Sequence, residues 1–261
     1  MGYQGKETLA FSPVANTFTP VAGEEVWTFA DYKVNCDEED PEATTGWIAY
    51  ADTLNTFTAE GLFDKGLVYI PAWLAEGLSG DFGYEVKPGW YDQFDEEFKN
   101  SYNTQIIDFG KGTIAKAGGA GAKVTFAGTV KNAPTVVDAG AFTITGNASP
   151  ISRTMKEFVV NCDEEDPEAT TGWIAYADTI NVFTTEGLFD KGFVYIPAWL
   201  AEGLSGDFGY EVKPGWYDQF DEEFKNSYNA RNFAAGEGFV VKAGGAGATI
   251  TIKSALAEEA K

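Results

Sequence analysis

Asp178-Thr-Ile-Asn-Val-Phe-Thr-Thr-Glu-Gly-Leu-Phe-Asp-Lys-Gly-Phe-Val-Tyr-Ile-Pro197 places two runs rich in β-branched and aromatic residues on either side of a Thr-Thr-Glu-Gly turn. Runs of this kind, separated by a short Gly-bearing segment, read as a β-hairpin closing on Gly187. Pro197 cannot donate to a ladder, so it marks the end of the second strand or an edge. A closely similar stretch stands 126 residues earlier, at residues 52–71, and the agreement extends outward in both directions. Residues 34–103 recur at 160–229 without a gap, and only Leu54/Ile180, Thr56/Val182, Ala59/Thr185 and Leu67/Phe193 differ among those 70 positions. A repeat this faithful makes each copy one structural unit. The expected units are residues 1–130 and 135–261, joined by a short Pro-bearing linker at 131–134, each near the common size of a single domain.

Other stretches extend the β reading. Val124-Thr-Phe126, Phe142-Thr-Ile-Thr145, Gly238-Phe-Val-Val-Lys242 and Ala248-Thr-Ile-Thr-Ile252 are short β-branched or aromatic runs bounded by Gly and Asn. The last two flank a small-residue loop and are expected to close each copy as a hairpin. Tyr217, Phe220 and Phe224 fall at i, i+3 and i+7, the spacing of a short helix. The expected fold class is therefore mostly β: two tandem duplicated β-sandwich or barrel-like modules with at most short helices.

Composition and charge narrow the function. With 44% hydrophobic and 15% aromatic residues the chain builds packed cores. No apolar run approaches the roughly 20 residues that cross a bilayer, so no transmembrane segment is expected. Met1 is not followed by an apolar signal core, and the expectation is an extracellular or cell-surface protein, read as a mature chain without its signal peptide. The formal net charge is −22. Each repeated block holds fifteen carboxylates against three lysines, −12 apiece, so the flanks together carry +2. Such a surface repels nucleic acid and anionic lipid and keeps the protein soluble. Residues 104–159 alone set Lys111, Lys116, Lys123, Lys131, Arg153 and Lys156 against three acids, a surface that could dock on an acidic block of a neighbour.

The chain has no histidine, which excludes a Ser-His-Asp or Cys-His centre within one chain. The Gly-rich stretches at 118–121 and 236–238 lack the strand and helix context of nucleotide-binding loops. Asp92, Asp95, Glu96 and Glu97, with Asp218, Asp221, Glu222 and Glu223, are the carboxylates that a glycosidase-type pair would draw on. A solvated face accounts for them better, and the chain is read as a non-enzyme.

Three features remain as candidate sites. Cys36 and Cys162 hold equivalent positions, one per copy; an intrachain disulfide, an intersubunit disulfide and two buried thiols are all open. Beside them lie Asp37, Glu38, Glu39, Asp40 and Glu42, repeated as Asp163, Glu164, Glu165, Asp166 and Glu168. Dense carboxylates suit Ca2+, which takes six to eight oxygen ligands, although the spacing is not that of an EF-hand. Trp90-Tyr91 and Trp216-Tyr217 follow Pro-Gly turns and are candidates for glycan contact, with core packing as the alternative.

The opening Gly2-Tyr-Gln-Gly-Lys-Glu7, the start Phe142-Thr-Ile-Thr-Gly-Asn147, the Asp-Thr-Ile-x-Val at Asp178, the Tyr195-x-x-x-Trp199 and the Gly236-x-Gly-Phe239 carry a resemblance. They resemble a family of secreted tandem β-repeat surface or matrix proteins of unassigned biochemistry from bacteria of the Verrucomicrobia and Lentisphaerae kind. First-copy Gly110-Lys-Gly-Thr113 departs from that pattern by lacking the aromatic. The resemblance implies export and a surface or matrix role, and supplies no catalytic residues. The expected function is an extracellular structural protein that self-assembles into a filament, surface layer or matrix, its principal partner being itself. A secreted carbohydrate-binding protein using exposed Trp and Tyr is the other reading.

If the acidic loops hold Ca2+, ligand linkage stabilises the fold by about 2.7 kcal/mol at a hundredfold excess over the dissociation constant. Chelation should then lower the melting temperature, and joint Asp→Asn replacement at 37, 40, 163 and 166 should abolish that response. A melting curve indifferent to chelator and to added calcium leaves the loops as solvated charge.

Overall fold

A computed structural model describes residues 4–11, 15–23, 25–36, 45–162, 170–184 and 186–258. The first copy contains β1 (Gln4–Phe11), β2 (Ala15–Phe18), β3 (Lys33–Val34), β4 (Thr53–Phe57), β5 (Phe63–Ile70), β6 (Gly89–Asp92), β7 (Thr113–Lys116) and β8 (Ala122–Thr129). A helix, α1 (Ala72–Phe82), lies between β5 and β6. The second copy contains β9 (Thr135–Asp138), β10 (Thr143–Gly146), β11 (Arg153–Thr154), β12 (Phe158–Val160), β13 (Thr179–Phe183), β14 (Phe189–Ile196), β15 (Gly215–Asp218), β16 (Asn232–Phe233), β17 (Gly238–Lys242) and β18 (Thr249–Ile252). Its helix is α2 (Ala198–Phe208).

Each copy pairs a five-stranded antiparallel sheet with a three-stranded one. The orders are β2-β7-β4-β5-β6 with β1-β8-β3, and β10-β17-β13-β14-β15 with β9-β18-β12. The structure is mostly β and sandwich-like, with no closed barrel among the described residues. The hairpin read from residues 178–197 forms as β13 and β14, and Gly187 takes the left-handed φ of +76° that its turn requires. Register sends alternate side chains of β5 to opposite faces. Leu67 and Tyr69 face the three-stranded sheet, where Trp47, Trp90, Ala115, Val124 and Phe126 complete a core. Val68 and Ile70 face α1, packing on Ala75, Leu74 and Leu78.

The helix is delimited by local chemistry. Pro71 stands at its N-cap with φ −70°, and Gly83 ends it in the left-handed conformation at φ +73°. The Ser79 hydroxyl donates to the Ala75 carbonyl and accepts from the Val86 amide, fixing the return to β6. The helix expected at Tyr217 is not formed. Gly215–Asp218 is a strand, and Asp218 Oδ1 accepts from the Phe220 amide while Asp221 accepts from the Glu223 and Asn226 amides. These short acidic side chains bind the local backbone and turn it instead of letting it coil.

The closing hairpin is also corrected, since β17 and β18 lie in different sheets. The Ala-Gly-Gly-Ala-Gly loop carries the chain from one layer to the other. In the first copy Ala120 pairs with Thr45, and Gly46 N donates to Ala120 O at 3.1 Å. Only hydrogen fits at the crossing, because a Cβ on Gly119 would collide with the Gly46 carbonyl oxygen.

The copies meet along β2 and β10, and their contacts are reciprocal. Gly112 N donates to Ile144 O at 2.7 Å, while Thr17 Oγ1 donates to Gly238 O at 3.2 Å. Thr17 and Ile144 are equivalent by register, pairing with Ile114 and Val240. Gly110 packs under Val137 just as Gly236 packs under Leu9, and those two residues pair with Ile250 and Val124. Both residue pairs thus reappear with the copies exchanged, as an approximate two-fold axis demands, while the Thr19 N–Gly236 O bond and the Phe18–Glu237 bridge have no such counterpart among the described residues.

Gly119→Ala should destabilise the protein by roughly 1–3 kcal/mol through overpacking. Gly77→Ala, on the exposed face of α1 with nothing near its added carbon, should stabilise it by about 0.5–1 kcal/mol. Urea denaturation measures both; equal effects would show that the loop crossing is not tightly packed.

Candidate functional site

A groove of 540 Å3 opens where the β4–β5 hairpin of the first copy faces residues 138–144 of the second. Volumes of this order accommodate small-molecule ligands. Phe29 and Tyr32 form part of its floor, Thr56 and Leu67 part of one wall, and Phe142 and Ile144 part of the other. Phe142 sits there because Gly61, at φ +79°, carries no side chain: a Cβ would lie 2.8 Å from the Phe142 ring. The Phe57 and Phe142 rings flank the groove with centroids 6.4 Å apart. The polar lining includes two ion pairs, Lys65–Asp64 at 3.4 Å and Lys111–Asp108 at 2.9 Å. Thr113 also lines it, 7% exposed, and its hydroxyl has no hydrogen-bond partner among the described residues.

A second feature is repeated. The hairpin tips present Leu62 and Leu188, each 66% exposed, followed by the exposed Phe63 and Phe189. Behind each tip a ring pair, Phe57–Phe63 at 6.2 Å and Phe183–Phe189 at 6.3 Å, makes the apolar surface continuous. Phe94 and Phe220, 73% and 75% exposed, follow β6 and β15 at the same end of the sheets. Large apolar side chains grouped on a surface mark contact sites more often than isolated ones do.

The structure places the candidates from sequence as follows. Trp90, Tyr91, Trp216 and Tyr217 are buried, Trp90 and Trp216 completely, which corrects the expectation of glycan contact at these positions. The register pairs Tyr69 with Trp90 and Tyr195 with Trp216, turning the indoles inward onto Trp47 and Trp173 at 5.7 Å. Tyr91 and Tyr217 face α1 and α2 and donate to the Lys87 and Lys213 carbonyls. No disulfide joins Cys36 and Cys162; each thiol is buried in the core of its own copy. The acidic runs at Asp37 to Glu42 and Asp163 to Glu168 lie outside the described residues. Among the described residues no group of three or more potential ligands could hold a metal ion, and no helix is long and apolar enough to cross a membrane.

Asp92 and Asp95 are engaged in turns, accepting from the Phe94, Glu97 and Asn100 amides, and Glu97 pairs with Lys99. Of the basic flank, Arg153 is buried and bonded to Glu157 and the Ser254 carbonyl, so it is not part of a docking surface. The groove was not read from the sequence. Its signal was present in the differences between the copies, since Thr56, Ala59 and Leu67 all line it.

The carboxylates raised by burial, Asp52 and Asp178, lie elsewhere. Asp52 is fully buried, accepting from Ile48 N and Gly118 N at 2.8 Å each; Asp178 repeats this with Ile174 N and Gly244 N. Burial raises both above the ordinary 3.8, against the lowering effect of the two amides. They are structural clasps with no access to the groove lining.

Set against known proteins, the chain matches no family model, no curated protein and no solved structure.

A carboxyl titration by NMR should place Asp52 and Asp178 above 3.8. With the folded value raised, their contribution to stability is fully present below the unfolded value and is lost as pH rises through the folded one. Midpoints at or below 3.8 would mean that the amide bonds outweigh burial.

Proposed function

We propose that the protein is a self-assembling structural unit of an extracellular filament, layer or matrix. The observation that carries this reading is the repetition of one exposed apolar tip, Leu62-Phe63 and Leu188-Phe189, on the two copies of a single chain. A chain bearing one such surface associates at most into pairs through it. A chain bearing two equivalent surfaces, fixed relative to each other, is bivalent, and repeated tip-to-tip contact yields an open polymer. The interface between the copies supports this, because it shows that these modules already pack on one another through reciprocal contacts.

Charge sets the terms of assembly. Two blocks of −12 approach each other against long-range repulsion, which salt screens within about 10 Å at 0.1 M. Apolar tips are unaffected by that screening, so association through them strengthens as ionic strength rises. Contacts made by lysine against carboxylate would weaken instead.

Sedimentation of the full chain should show species growing with protein concentration and with salt. Leu62→Ser with Phe63→Ser should leave a monovalent chain that stops at dimers, and the same changes added at Leu188 and Phe189 should leave monomers. A wild-type chain that remains monomeric at high concentration, or a monovalent variant that still polymerises, would overturn the reading.

A further inference from the structure

The two copies differ at four of seventy positions in the repeated block, and three of those positions, Thr56, Ala59 and Leu67, line the groove. Beyond the block, Gln105 and Ile107 of the groove correspond to Arg231 and Phe233. Arg231 lays its guanidinium over Phe193 and Phe233, 5.3 and 5.0 Å from the ring centroids, and Phe233 packs on Phe239 at 5.2 Å. The same hairpin therefore accepts Phe and Arg at these positions. An underpacked hollow costs stability, and the first copy keeps one beside Leu67, Gln105 and Ile107, where the second copy carries Phe193, Arg231 and Phe233 stacked on one another. Within the repeated block the differences gather at the groove, which points to an occupant.

We propose that this groove binds a neutral carbohydrate of one or two pyranose rings. The lining decides the class. An anion entering it would meet a chain of net charge −22 and the Asp64, Asp108 and Asp138 carboxylates. For a cation the lining offers Asp138 alone beyond the carboxylates already paired with Lys65 and Lys111. These lysines are already matched to Asp64 and Asp108, so the wall presents paired donors and acceptors with little net charge of its own. A wholly apolar ligand would bury those pairs with nothing to bind them, an unfavourable desolvation, and would leave the already buried Thr113 hydroxyl without a partner. A sugar meets both demands. Its C–H face covers the Phe57 and Phe142 rings, and its hydroxyls, each donor and acceptor, satisfy Thr113, the lysines and the carboxylates. The contact is distinct from the buried tryptophans, and it shares only Phe57 with the apolar surface of the first copy's tip.

The test is calorimetric and NMR titration of the full chain with glucose, galactose, mannose, N-acetylglucosamine and their β-1,4-linked disaccharides. At least one should bind saturably. Leu67→Phe, Gln105→Arg and Ile107→Phe together install the residues of the second copy and should weaken that binding at least tenfold. Thr113→Val is the milder variant should the triple change fail to fold, and it should weaken binding while leaving the melting temperature near wild type. Phe94→Ser, outside the groove, should bind as wild type does. No saturable binding up to millimolar sugar, or binding unchanged in the variants, overturns the proposal. A filled groove that abolishes self-association while no sugar binds would assign the groove to a second copy of the chain. Loss of polymer in the tip variants with sugar binding intact would leave both conclusions standing separately.

Discussion

A buried carboxylate holds each module together at its corner. Asp52 accepts the Ile48 amide with one oxygen and the Gly118 amide with the other, and Asp178 does the same for Ile174 and Gly244. These bonds tie the start of the hairpin to the point where the chain leaves the five-stranded sheet for the three-stranded one. The transfer lets β7 pair with β2 and β4 while β8, immediately after it, pairs with β1 and β3. Both sheets are thereby closed over one aromatic core. Two charge-assisted bonds offset the desolvation of each carboxylate only in part, and its raised pKa records the difference.

The close crossing has a second effect, on how the copies meet. With the sheets closed by β7 and β8, the strands β2 and β10 remain as neighbouring edges, and glycines at 110, 112, 236 and 238 let the two copies approach to backbone contact. The arrangement pairs equivalent residues across the seam but is asymmetric in its hydrogen bonds and side chains. Reciprocal contacts at Gly112–Ile144 and Gly238–Thr17 coexist with an open groove in one copy and a Phe–Arg stack in the other. An identical Lys also behaves differently in the two settings: Lys191 pairs with Asp218 at 2.7 Å, whereas Lys65 pairs with its neighbour Asp64 at the groove. Duplication supplied one scaffold; a few substitutions around the seam separated its two faces chemically.

The hairpin at residues 178–197 was legible because its signals are local: alternating β-branched residues, a glycine where φ must be positive, and a proline at the strand end. The helix α1 carried readable boundaries in Pro71 and Gly83 as well, yet Gly77 and Gly80 weaken its helical pattern and hid it. At Tyr217 the periodicity was present and misleading, because Asp218 and Asp221 bind nearby amides and no neighbouring surface favours a coil there. Trp90 and Trp216 read as exposed from the Pro-Gly turns before them. Their burial depends on cross-strand register with Tyr69 and Tyr195, which turn residues do not reveal.

By itself, the sequence determined the duplication, the β class, the strand-rich hairpins, the acidity and the absence of histidine chemistry, all of which follow from composition and short-range pattern. Tertiary structure decided which aromatic residues are core, that the thiols of Cys36 and Cys162 lie in separate cores, and that the copies face each other across a groove. The reason is physical. Propensity and turn chemistry act over a few residues, whereas burial, thiol proximity and a cavity at a seam depend on surfaces brought together from distances of about a hundred residues along the chain, where loop-closure entropy and packing rather than local preference set the outcome.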